Sequence, residues 1–280
     1  MIRNIVVGYD GSRSSEVAVE QAINLAELCD GRLYLAAVHT VTEADLEGES
    51  VDRQQDLAEM ALGPQAREGE DEDRPATELP LSLDEIQRTC QDLHIVCEQE
   101  ELFARNPGPR LLRRSWTAEL LVVGRGDERR PGVPGPNTTF LLSELVTPTL
   151  VCARQPLEIR SVLIPYKLSV SGGRGLSFAA GLCEMLNAEL TVLVCEPRRS
   201  DARDAVESAE KHLRAYHVES ATEVSLTRPH EAVRSAAMDR DASMVIVPGA
   251  HKRYFLFPWQ RNETLWRALE VPGAAVLAYP

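Results

Sequence analysis

The chain has 280 residues, 44% of them hydrophobic and 26% charged, which gives room for two globular domains of roughly 100–200 residues each. Thirty Lys and Arg against 43 Asp and Glu leave a formal charge of −13, which argues against a general binder of nucleic acid or anionic membranes. No apolar run approaches the roughly 20 residues of a membrane span, and no basic leader precedes the first strand-like stretch, so a cytoplasmic protein is expected.

In chain order, Ile5-Val6-Val7 is a short apolar run of the kind buried on both faces of a parallel sheet. Ala18, Ala22, Leu25, Ala26 and Cys29 share one face of the helix that follows. Gly31 ends that helix, and Leu33–Val38 reads as the second strand. Residues 43–84 then hold 14 acidic and 3 basic residues. About 43–80 reads as an acidic insertion, with 64–80 expected to be a mobile surface loop. Beyond it come a helix near 83–93, a strand near 95–102, a short helix, a strand at 120–123, a last helix at 141–146 and a final strand at 149–153. Residues 154–158 form a short linker.

The second half repeats the first. Shifted by 157, residues 2–39 align without a gap on 159–196 with nine identities, among them Tyr9/Tyr166, Ser12/Ser169, Ser14/Ser171, Leu25/Leu182 and Leu33/Leu190. Later the offset reads as 124, where Leu141/Leu265, Leu145/Leu269 and Pro148/Pro272 coincide. The first copy therefore carries about 33 extra residues, those of the acidic stretch. Each copy alternates five strands with helices. The expected fold is α/β, with two tandem doubly wound, five-stranded parallel-sheet domains at 1–155 and 158–280. The six cysteines form no CxxC pair and read as buried structural thiols rather than disulfides or a zinc site.

Ligands of such sheets sit beyond the carboxyl ends of the strands where strand order reverses. Two turns of copy one should meet there: Gly8-Tyr9-Asp10-Gly11-Ser12 after the first strand, and Val123-Gly124-Arg125-Gly126-Asp127 after the fourth. The second leads to Asn137-Thr138-Thr139 at the start of the last helix. By themselves Asp10-Gly11 is a turn and Asn137-Thr138 a helix start. An ionised Asp10 can only accept hydrogen bonds. Glycine admits a phosphate close to the backbone, helix N-terminal amides donate to it, and the Thr138 and Thr139 hydroxyls would add donors.

On the opening strand with Asp10-Gly11-Ser12, the Gly124 turn, and the helix with Pro148 before the last strand, the chain resembles the universal stress protein family in its tandem form. The resemblance implies ATP, with magnesium, in copy one. Asp10 and the backbone near Val38 would meet adenine, and the loop from Gly124 to Thr138 would hold phosphates. It also implies a stress-response role, an unidentified protein partner, and final strands, 149–153 and 274–278, that pair edge to edge and join the two domains or two chains as a homodimer. Copy one departs from the family's Gly-x-x-Gly pattern at Asp127, a carboxylate that Arg125, Arg129 or Arg130 would have to offset, and at Asn137. Gly135 is an alternative anchor that needs a shorter loop; the Pro148/Pro272 equivalence favours Asn137.

Copy two departs further, with Lys167 in place of the adenine Asp and Pro248, His251 and Arg261 at the glycine positions. The run 254–259 fills its loop with aromatic bulk, so copy two reads as a supporting domain, or as a loose anion site built from Lys167, His251, Lys252 and Arg261. Two other readings compete with the ATP-binding regulator. One is a nucleotide-free scaffold of the same fold. The other is an adenylating or ATP-hydrolysing enzyme, for which Ser171-Gly172-Gly173 matches only a fragment of a pyrophosphatase loop and no residues pair a nucleophile with a base.

Overall fold

The computed structural model describes residues 2–40, 81–126, 133–250 and 262–280. Each half contributes five strands: β1 (Asn4–Tyr9), β2 (Arg32–Thr40), β3 (Cys97–Ala104), β4 (Leu120–Val123) and β5 (Thr149–Val151), then β6 (Ser161–Tyr166), β7 (Glu189–Cys195), β8 (Ser220–Ser225), β9 (Met244–Pro248) and β10 (Ala275–Tyr279). They form one ten-stranded sheet in the order β3-β2-β1-β4-β5-β10-β9-β6-β7-β8. Every neighbouring pair is parallel except β5 and β10. The α/β fold read from the sequence is therefore present twice.

Helices cover both faces, which is why the central strands are apolar throughout. On one face lie α1 (Arg13–Cys29), α2 (Leu83–Asp92), α5 (Val170–Leu186) and α6 (Arg199–Leu213). On the other lie α3 (Pro107–Ser115), α4 (Pro136–Ser143), α7 (Pro229–Asp239) and α8 (Glu263–Leu269). Helix α1 starts where the Ser12 side chain accepts from Ser15 N–H, and it ends at Asp30, whose φ of +50° is left-handed. Helix α5 copies this with Ser169 and with Asn187 at φ +52°. Both helices fit the offset of 157 from end to end.

The halves join where β5 meets β10, with Thr149, Leu150 and Val151 opposite Ala278, Leu277 and Val276. All six residues are buried. Both strands are thus paired on both sides within one chain, and the reading in which they join two chains is corrected. The outer edges are β3 and β8. Edge β3 exposes Glu98, Glu100 and Glu101, charges that discourage another strand from adding there.

The late alignment also needs correction. Strands β4 and β9 hold equivalent places beside β1 and β6 at the expected offset of 124. Past them, however, Gly135 and Asn262 are the N-caps of α4 and α8, an offset of 127. The pairing of Leu121 with Thr149 and of Val245 with Val276 gives 127 again. The loop before the last helix is therefore three residues longer in the second half, and Pro148 is not the counterpart of Pro272. Helix α4 also begins earlier than the apolar pattern suggested, because Pro136 occupies its first turn.

All six cysteines are free thiols, five of them buried and Cys97 half-buried. Burial pushes Cys29 up to about 11 and Cys152, Cys183 and Cys195 up to about 12. A thiol reagent at pH 8 should therefore titrate at most one fast cysteine in native protein and all six after denaturation. Leu150→Ala, which empties a fully buried site at the junction, should lower unfolding free energy by about 2–5 kcal/mol in urea titration.

Candidate functional site

Strand order reverses between β1 and β4 in the first half: β1 leads to β2 on one side and lies beside β4 on the other. The crevice above this reversal collects the two sequence-predicted turns. Gly8, near the top of β1, lets α3 approach; a Cβ there would sit 2.7 Å from the Leu111 side chain. Asp10 follows on the surface, with its Oδ1 accepting from Ser12 N–H (3.1 Å) and Ser12 Oγ (2.6 Å). Gly11 completes the turn at φ +80°, a conformation that suits glycine.

The second turn packs directly on the first turn of α1. Gly126 N–H donates to Ser14 Oγ at 2.8 Å. A Cβ on Gly124 would lie 2.3 Å from Ser14 Oγ and 2.5 Å from the Ser14 carbonyl. Gly126, at φ +87°, lies against Gly135, whose N–H donates to the Arg125 carbonyl at 2.9 Å. Val123 is buried below, its carbonyl accepting from Cys152 N–H. Ser14 is thus the residue that holds the two turns together. Sequence reasoning found it only as an identity with Ser171, which was its one signal.

Gly135 caps α4 and carries no side chain to satisfy the amides of the first turn. Asn137 sits inside that turn, two residues past the cap. The glycine anchor of this loop is therefore Gly135, and the preference for Asn137 fell with the Pro148/Pro272 alignment. Two further expectations change. Thr138 Oγ1 donates to the Gly124 carbonyl (2.9 Å) and Thr139 Oγ1 to the Pro134 carbonyl (3.2 Å). Their hydroxyl protons serve the loop, leaving backbone amides as the donors an anion would meet. Arg125 points away from the loop and donates to the Ala274 carbonyl at 2.8 Å, so its guanidinium is engaged by the other half of the chain. Asp127, Arg129 and Arg130 lie outside the described residues.

Two predicted residues stand apart from this cluster. The Tyr9 side chain is buried on the α1 side of the sheet, and its hydroxyl donates to the Leu81 carbonyl. Only its backbone borders the turn. Val38 is half-buried near the end of β2, one strand away. A separate cavity of about 250 Å³ lies over β2 and β3, lined among others by Tyr34, Glu98, Glu100 and Arg114. Arg114 is already paired with Glu100 at 2.9 Å and lies 5.0 Å over the Tyr34 ring.

In the second half, Lys167 is exposed and its carbonyl lies where a Cβ on Gly172 would be 2.1 Å away. The cap of α8 is Asn262, whose side chain accepts from Leu265 N–H at 3.1 Å. That helix end is satisfied by its own residue, whereas the equivalent end in the first half is not. His251, Lys252, the aromatic run 254–259 and Arg261 lie outside the described residues. Among the described residues, no group of three or more His, Cys, Asp or Glu is arranged to hold a metal ion, and no helix is long and apolar enough to cross a membrane. Gly126→Ala should lower stability by at least about 1 kcal/mol in thermal unfolding, because it strains a left-handed φ and sets a Cβ 2.3 Å from Gly135 N.

No curated protein matches the sequence. Among solved structures, a universal stress protein from Archaeoglobus fulgidus DSM 4304 superposes with a TM-score of 0.69 at 13% identity, covering 99% of this chain and 95% of that one. A putative universal stress protein from Pseudomonas aeruginosa UCBPP-PA14 gives 0.68 at 12% identity, with 99% and 93% covered. Both likenesses are of fold. The family model described as "Universal stress protein family" matches residues 1–151. With more than half its length under that model, the chain belongs to the universal stress protein family.

Proposed function

We propose that the chain is an ATP-binding regulator of the stress response rather than an enzyme, taking nucleotide in its N-terminal domain (1–155) only. The C-terminal domain (158–280) serves as a supporting body. The observation that carries this reading is the glycine-capped α4, set beside a glycine turn that Ser14 ties to the Asp10 loop. Such a helix end offers uncapped amides and its positive dipole to an anion, and the crevice has the place in the fold where nucleotides sit. Asp10 and the Val38 backbone would meet adenine, and the amides from Gly124 to Thr139 the phosphates with their magnesium. The self-capped α8 and Lys167 argue against a second nucleotide. A cytoplasmic location and an unidentified protein partner complete the reading, and any homodimer would use a surface other than β5 and β10.

A nucleotide-free scaffold is the second reading, favoured by the way one sheet unites both halves through buried strands. Calorimetric titration of nucleotide-free protein with Mg-ATP separates the two. One site per chain, weakened about tenfold by Asp10→Ala as a charge-assisted hydrogen bond is lost, supports the regulator. No heat at millimolar ATP overturns it in favour of the scaffold. Two sites per chain overturn the restriction to the N-terminal domain.

A further inference from the structure

Arg125 belongs to two places at once. Its backbone lies between Gly124 and Gly126, inside the candidate phosphate loop, and its carbonyl accepts from Gly135 N–H at the cap of α4. Its guanidinium leaves the first half and donates to the carbonyl of Ala274, 149 residues away. Ala274 immediately precedes β10 and is buried. On the next residue, Ala275 N–H donates to Ser243 O, fixing the start of that strand. The side chain thus connects the α4 cap to the β5–β10 junction through a single residue.

The placement is energetically demanding. Burial lowers the basicity of the guanidinium, with the nearby Arg154 charge acting in the same direction and Cys152 opposing. Its Nε is buried with no hydrogen-bond partner. A half-buried charge with an unmade bond at Nε depends on its remaining partners staying in place. The bond to Ala274 and the position of the loop are therefore linked: moving residues 124–126 drags the guanidinium off the carbonyl that stabilises it.

We propose that Arg125 is a positioning residue that couples occupancy of the N-terminal phosphate loop to the junction between the two halves. Nucleotide bound at the loop holds Arg125 against Ala274 and tightens the β5–β10 pairing. By reciprocity, losing that contact weakens nucleotide binding by the same factor. The inference rests on the nucleotide reading above and names how that site would be regulated.

The test uses the full chain as wild type, Arg125→Met and Arg125→Lys. Each is titrated with Mg-ATP and followed by hydrogen exchange with and without Mg-ATP. In wild type, Mg-ATP should slow exchange at 149–153 and 274–279. Arg125→Met, which keeps the apolar stem but removes the donors, should bind about tenfold more weakly, within the usual range of coupling between sites. It should also lose the ATP-dependent slowing at the junction, and Arg125→Lys should retain part of both. If Arg125→Met only lowers the melting temperature, with affinity and junction protection as in wild type, the residue is merely structural and the inference is overturned. Wild type that binds Mg-ATP without any change at 149–153 and 274–279 overturns it without recourse to a variant. Wild type that binds no Mg-ATP overturns the nucleotide reading, and the coupling with it.

Discussion

The antiparallel contact of β5 with β10 is the constraint on which the molecule's architecture rests. Five parallel strands would otherwise leave a buried-type strand, apolar on both faces, exposed at the sheet edge. Each half supplies the missing neighbour to the other, and Leu150 against Leu277 closes the junction with apolar side chains. Because the pairing is antiparallel, the two halves are related by an approximate twofold axis normal to the sheet. Equivalent helices then fall on the same face, and α1 packs against α5 across the junction. The linker assists, with the Gln21 side chain of α1 accepting from Leu157 N–H.

Duplication followed by divergence gives the halves unequal chemistry on equal scaffolds. The first-strand tyrosine is buried in both, and the first helix begins on a serine cap and ends on a left-handed residue in both. The differences gather at the loop after the fourth strand. In one half, Gly124 and Gly126 approach Ser14 and Gly135 at distances that exclude a Cβ, and Gly135 leaves the helix end without a side-chain cap. In the other, Pro248 rests on Gly175 of α5 and Asn262 caps its own helix. The asparagine thus satisfies locally what glycine leaves to a ligand or to water.

Much of this was legible in the sequence, for physical reasons. Strands buried on two faces must be apolar runs, and α1 must show its 3.6-residue stripe, so β1, α1 and β2 and their copies were visible at a constant offset. The expected junction of the final strands came with the family resemblance. What failed was local. The true offset of 127 was masked because Leu141 and Leu145 are spaced four residues apart, as are Leu265 and Leu269, so a wrong register of 124 still matched leucine to leucine. Gly135 was consequently passed over for Asn137. The threonine hydroxyls were assigned to phosphate, and Arg125 to offsetting Asp127, because composition shows which groups are present and not where they point. Carbonyls at Gly124, Pro134 and Ala274 claimed them first.

The acidic insertion read at 43–80, with its expected surface loop at 64–80, lies outside the described residues, but the attachment of Leu81 just after it is seen. The Tyr9 hydroxyl donates to its carbonyl, and Glu16 Oε1 accepts from its N–H at 3.0 Å. A capping box on Ser82 and Glu85 then starts α2 at once. The backbone is therefore caught at both of its polar groups just before α2, while β2 fixes the other end at Thr40. Whatever length of chain joins these points, the fold meets it at two fixed docks. The start of α2 is thus set by contacts to β1 and α1 rather than by the residues before Leu81, so changes there need not shift the register of the helix on the sheet.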